Sequence, residues 1–268
     1  MKKLSVFAIA MAAMVFAACG GNKSAQNTEG EDSLKSFEQE QIEASIKMQL
    51  DSIASEVGKL KLASFLQKDE NGGLKLTKEE MQVKPDYLLA ANVSENATTL
   101  AEKYRMISAL DVDKRVANLY EMPVDEYTAA ISKLAADIND PSFKAIEEGA
   151  TAAETTEELY NEMSKNGRIN YFWQMASASL VEQLYVTSQN VDKFMSALDD
   201  EAAANISFRV VLVLDGVKRL AEYDPEIKVI GEALAPLDVL NAMTVDELKT
   251  QIADAKDKIE AARAALIK

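Results

Sequence analysis

The sequence predicts an all-α protein, a single multi-helix bundle behind a leader peptide and a flexible tether. Three observations lead there. From residue 33 onward apolar side chains recur at spacings of three and four with almost no alternation, the period of helices rather than strands. Only 10 Gly and 5 Pro occur in 268 residues, so breakers are scarce. Apolar residues make up 48% and charged residues 27%, a balance that closes a core without disulfides at this length.

The leader comes first. Lys2 and Lys3 give a positive start, residues 4–16 form an apolar run broken only by Ser5, and Ala17-Ala18 precede Cys19. Thirteen residues at about 1.5 Å rise cover about 20 Å, short of a hydrocarbon core of about 30 Å. Residues 1–18 therefore read as a cleaved signal peptide. The small pair followed by the chain's single cysteine resembles the lipobox of bacterial lipoproteins, with Phe16 where Leu is commoner. That resemblance implies a thioether-linked diacylglycerol on Cys19 and an acylated amine, including palmitate-type chains. At about 0.8 kcal/mol per buried methylene, several chains hold a protein on a bilayer almost permanently. Gly20 stands where Asp would imply inner-membrane retention, so the resemblance points to the outer membrane, in either leaflet. Residues 19–32 are the lipidated cysteine and a polar, Gly-containing tether.

The body is expected over 33–268. Ile42, Ile46, Leu50, Ile53, Val57 and Leu60 form one face of an amphipathic helix, with Ser33 and Ser36 as available caps. Residues 68–73 are a turn, and 74–93 are the least regular stretch, with a capping-box match at Thr77 and Glu80 and a stop at Pro85. Helices are expected over 95–121, 124–138, 141–149, 152–165, 168–190, 191–198, 200–222, 225–242 and 245–267. Pro123, Pro141 and Pro225 lie at or near first positions, Thr244 with Glu247 forms another capping box, and Asn166-Gly167 marks a stop. Met122-Pro123-Val124-Asp125-Glu126 resembles Met243-Thr244-Val245-Asp246-Glu247. Both read as helix starts rather than a repeat, since acidic residues suit the positive end of a helix dipole.

Composition excludes much chemistry. With no His and one Cys there is no imidazole base, no zinc site and no intrachain disulfide, so no metal or cofactor is expected. The net charge is −15, or −17 once Lys2 and Lys3 leave with the leader, which repels nucleic acid. No calcium-loop, phosphate-loop or nucleophile-elbow pattern occurs. The pairs Glu147-Glu148, Glu157-Glu158 and Asp199-Asp200 are adjacent on helices and so point apart, as surface residues do.

One helix invites attention. In 169–191 the only charge is Glu182, among Tyr171, Phe172, Trp173, Met175, Leu180, Leu184, Tyr185 and Val186. A helix apolar all round belongs at a bundle centre, where a carboxylate must be paired, protonated or at a cavity mouth. Gln174, Glu182, Tyr185, Gln189 and Arg209 are the candidate lining of a ligand pocket. The alternative is a structural Glu–Arg bridge, for which Arg209 is the candidate partner. Arg209 also shares a polar stripe with Asn205, Asp215, Arg219 and Glu222, and Arg219 suits Asp215 as an i,i+4 ion pair.

The export features, together with Val181-Glu182-Gln183-Leu184-Tyr185, Gln189 and Ala101-Glu102-Lys103-Tyr104, resemble uncharacterised all-helical lipoproteins of Bacteroidetes-type bacteria. The likeness covers most of residues 84–222. It implies no catalytic residue. It does imply O-glycosylation where Ser follows Asp and precedes an apolar residue, which nominates Ser33 and Ser52. The expected function is a non-enzymatic binding or interaction module, held to the bilayer through Cys19, with an envelope protein or small ligand as partner. The alternatives are a hydrolase using carboxylates and Lys, and a structural spacer.

Overall fold

The computed structural model describes residues 44–45, 48–49, 51–53, 74–145 and 152–267. The leader, Cys19, the tether and Ser33 lie outside them, as do Glu147-Glu148 and all of the first amphipathic stripe except Ile53. Residues 44–45, 48–49 and 51–53 are helical and belong to the compact unit Ala44–Lys268.

The remaining helices are α1 (Lys78–Gln82), α2 (Leu100–Leu119), α3 (Asp125–Ile138), α4 (Ala152–Lys165), α5 (Ile169–Gln189), α6 (Val191–Phe194), α7 (Asp200–Leu220), α8 (Pro225–Leu234), α9 (Val245–Asp254) and α10 (Lys256–Leu266). Short 3₁₀ turns occupy Ala91–Asn96, Pro141–Ala145 and Ala235–Val239. No strand occurs among the described residues, and the architecture is a helical bundle. None of their helices is long and apolar enough to cross a membrane.

Helix starts follow the expected chemistry. The side chains of Thr77 and Thr99 accept the N–H groups of Glu80 and Glu102, whose carboxylates return to the cap backbone. Asp224 accepts from Glu226 and Ile227 ahead of Pro225, and Thr244 accepts from Glu247. Gly167, with φ of 66°, turns the chain from α4 into α5, the left-handed conformation that a Cβ disfavours.

Five of the expected helices differ in the structure. The one at 95–121 starts at Leu100, because Thr99 is extended and its box with Glu102 closes the N-terminus there. The one at 225–242 stops at Leu234 and continues as a 3₁₀ turn through Pro236, which has no N–H for the α-helical ladder. The one at 245–267 breaks at Ala255, and 191–198 shortens to Val191–Phe194. Pro141–Ala145 form a 3₁₀ turn at the start of the helix expected over 141–149, and 146–149 lie outside the described residues.

Helix α5 is the axis of the bundle. It packs most extensively on α2, and also on α4, α7, α9 and α10. Its buried residues run right round it, from Phe172, Trp173 and Met175 to Leu180, Val181, Leu184 and Val186. The small hydroxyls that share this core return to their own helix. Ser177 donates to Trp173 O and Thr187 to Gln183 O, both at 2.7 Å, so neither hydroxyl is stranded. Helices α2 and α5 run parallel, since Arg105 meets Gln174 and Asp113 meets Glu182. Helix α7 runs antiparallel to α5, with Gly216 on Trp173 and Arg209 on Gln183.

Candidate functional site

The candidate residues are distributed along α5, and the tertiary partners decide what each does. Glu182 is fully buried. Arg263, from α10, grips it with two parallel hydrogen bonds, Nε to Oε2 at 2.8 Å and Nη2 to Oε1 at 2.7 Å. Tyr185, three residues along the same face of α5, lies flat against the guanidinium, its ring centroid 3.8 Å from Cζ. The partner of Glu182 is therefore Arg263, 81 positions later, in place of the expected Arg209.

A second buried carboxyl joins this pair. Asp113 of α2 is also fully buried, and its Oδ2 accepts the Leu89 N–H at 2.7 Å. The Tyr127 hydroxyl, from α3, donates to Leu89 O at 2.7 Å and so braces the same loop. Asp113 and Glu182 interact directly. Burial and the adjacent Glu182 push the Asp113 carboxyl well above the usual carboxylate range. Burial raises Glu182 as well, and the Arg263 guanidinium pulls it back. Arg263 in turn is raised despite its burial, because Glu182 and Asp113 favour its charge.

The other candidates do not converge on this point. Gln174 lies two turns earlier, where its Oε1 accepts from Arg105 Nη1. Arg105 Nε donates to Leu266 O at 2.7 Å, so this arginine also ties down the end of α10. Arg209 donates to Gln183 Oε1 at 3.1 Å, and burial with nearby Arg115 pushes its guanidinium down to about 10. Gln189 turns back along its own helix and donates to Tyr185 O and Ser188 Oγ, both at 3.2 Å. Glu182 and Tyr185 thus share a partner, while Gln174, Gln189 and Arg209 each serve a separate contact.

Arg263, Asp113 and Arg105 complete these contacts and escaped sequence reasoning. For Asp113 a signal existed. Met106, Ala109, Leu110, Val116 and Ala117 form the buried stripe of α2, and Asp113 sits on it, three positions after Leu110 and three before Val116. The charged neighbours Asp111, Lys114 and Arg115 masked that signal. Arg263 lies beside the Ile259, Ala262 and Leu266 stripe of α10, and nothing local distinguishes it from a solvated cation.

A second polar knot lies near the other end of α2. The Tyr104 hydroxyl donates to Asp140 Oδ2 and accepts from Arg168 Nη1 at 2.7 Å, and Asp140 Oδ1 accepts the Ser142 N–H at 2.9 Å. Tyr171 stacks on Tyr104 at 4.7 Å. Burial opposes the Asp140 charge, yet these donors hold its carboxyl below the usual range. The knot joins α2 to the Pro141–Ala145 turn and to the start of α5.

Asp215 and Arg219 pair at 2.8 Å. Asp199 and Asp200 are exposed; the first caps α7 and the second accepts the Val245 N–H at 2.9 Å. Ser52 is exposed on a helical stretch, and its neighbour Asp51 accepts from the Tyr160 hydroxyl. Among the described residues no group of three His, Cys, Asp or Glu side chains is placed to hold a metal ion. The chain matches no protein-family model, no curated protein and no solved structure.

Proposed function

We infer that this protein is a lipid-anchored protein of the bacterial cell envelope, held at the outer membrane through Cys19, whose helical body is a non-enzymatic interaction module. The observation that carries the reading is the N-terminal pattern of Lys2-Lys3, an apolar run over 4–16, Ala17-Ala18 and then the chain's single cysteine. A lone thiol at that point is explained by lipidation and by little else in an exported chain. The helical body supports the non-enzymatic part. The side chains with the most catalytic promise hold helices together: Glu182 grips α10 through Arg263, Gln174 meets Arg105, and Gln183 meets Arg209.

The test is detergent-phase partitioning of the protein from its native cells, with the mass of the mature chain. The wild-type protein is expected in the detergent phase, with a mass starting at Cys19 plus acyl chains. The Cys19→Ser variant is expected in the aqueous phase without them. Equal partitioning of the two overturns the anchor. Crosslinking in the native cell, followed by pull-down, then identifies what the body contacts.

A further inference from the structure

Helices α2 and α5 run parallel in a fixed register, and Asp113 and Glu182 stand 69 positions apart, as Arg105 and Gln174 do. The register brings two fully buried carboxyl groups to the same level of the core. Among the described residues Arg263 is the cation that hydrogen-bonds to either of them, and both of its bonds go to Glu182. Asp113 Oδ2 has the Leu89 N–H, while no donor among the described residues reaches Oδ1. The other ionisable groups facing the pair supply none. Tyr127, from α3, is committed to Leu89 O, and Tyr185, from α5, presents its ring to Arg263. Tyr87 packs edge-on against Tyr185, and Glu260 of α10 adds only more negative charge.

Two bare carboxylates in such a place repel each other strongly, and a single guanidinium balances one of them. A proton resolves both problems. It neutralises Asp113 and turns Oδ1 from an orphaned acceptor into a donor to Glu182. We propose that the folded protein holds one proton between Asp113 and Glu182, with Asp113 as the neutral acid donating to the Glu182 carboxylate, so that closing the α2–α5 seam takes up a proton that the unfolded chain lacks. Glu182 then accepts from both Arg263 and Asp113, and one buried negative charge remains, paired with the Arg263 guanidinium. The upward push on Asp113 from burial and from Glu182 agrees with this arrangement. This inference is independent of the anchor at Cys19.

The sign of the pH dependence follows. Above the ordinary Asp range of about 3.9 the unfolded chain has released this proton, while the native state keeps it until its own, raised value. Across that window stability falls as pH rises, by tenfold in the folding constant per pH unit for one proton. Asp113→Asn keeps the shape and supplies an N–H donor that needs no proton. Urea unfolding of the mature chain at about pH 5, 6, 7 and 8 is expected to show the ratio of wild-type to Asp113→Asn folding constants falling as pH rises, by about tenfold per unit for as long as the native state keeps the proton. Parallel profiles for the two proteins overturn the proposal. Infrared spectra of the wild-type protein give a readout that needs no variant. A protonated-carboxyl C=O band is expected at neutral pH in the folded state and lost on thermal unfolding, and its absence from the folded protein overturns the proposal even if Asp113→Asn fails to fold.

Discussion

Glu182 illustrates how a single side chain constrains a bundle. Its carboxylate is fully buried, while the Arg263 side chain keeps 17% exposure, so the cation reaches water at the edge and the anion does not. Removing the cation strands a buried charge, whereas removing both partners does not. Arg263→Met is therefore expected to destabilise the protein by about 3–5 kcal/mol. The double variant Glu182→Met with Arg263→Met should recover part of that loss, the remainder reflecting Asp113, which then lacks its acceptor. Urea midpoints of the two variants against wild type provide the check. A single-variant loss below about 1 kcal/mol would mean that Glu182 finds water or another partner.

The pairing of whole helices turns on small residues. A Cβ on Gly216 of α7 would stand 2.5 Å from Cζ3 and Cη2 of the buried Trp173 ring, closer than atoms pack. The ring is rigid and enclosed, so it cannot swing away as a flexible chain would. Gly216→Ala would ordinarily strengthen an exposed helix by about 1 kcal/mol. At this crossing it is expected to destabilise by about 1–3 kcal/mol, through separation of α5 from α7. Thermal unfolding combined with Trp173 fluorescence reads both effects. A stabilised Gly216→Ala protein with an unshifted emission maximum would show that the crossing has slack.

Across the molecule, acid stability and the acidic composition meet in the helix caps. Glu102 accepts the N–H groups of Thr99 and Thr98, which hold its carboxyl down to about 2. Because that value lies below the ordinary 4.5, the stabilisation is present above about pH 4.5 and is lost as pH falls toward 2. Glu102→Gln is expected to lower stability near neutrality and to converge on wild type at about pH 2, as followed by circular dichroism. A gap that persists at the acid end would assign the loss to geometry instead of charge. The group lies near the surface, so the effect is modest and weakens with salt. Asp113 acts in the opposite direction, at pH values above the ordinary Asp range.

Local chemistry made much of the fold legible before any tertiary structure. The period of apolar residues named α2 through α10 as helical territory, Thr77, Pro225 and Thr244 marked starts, and Gly167 marked a stop, because caps and dihedral preferences act within a few residues. The uniform apolar surface of α5 placed it at the centre, and Glu182 stood out as a charge needing a partner. The identity of that partner was not legible. Arg209 and Arg263 are equivalent cations in the sequence, and only the packing of α10 on α5 brings one of them to Glu182 while α7 delivers the other to Gln183. The break at Ala255 was likewise missed, since helical propensity continues through it, and the Thr99–Glu102 capping box that starts α2 went unread behind the apolar period around it. The sequence by itself determined helices, their caps and the leader pattern, all properties of short stretches of chain. The tertiary structure alone decided which buried polar groups meet, because ion pairing in a core depends on the register between helices that close only when the whole bundle forms.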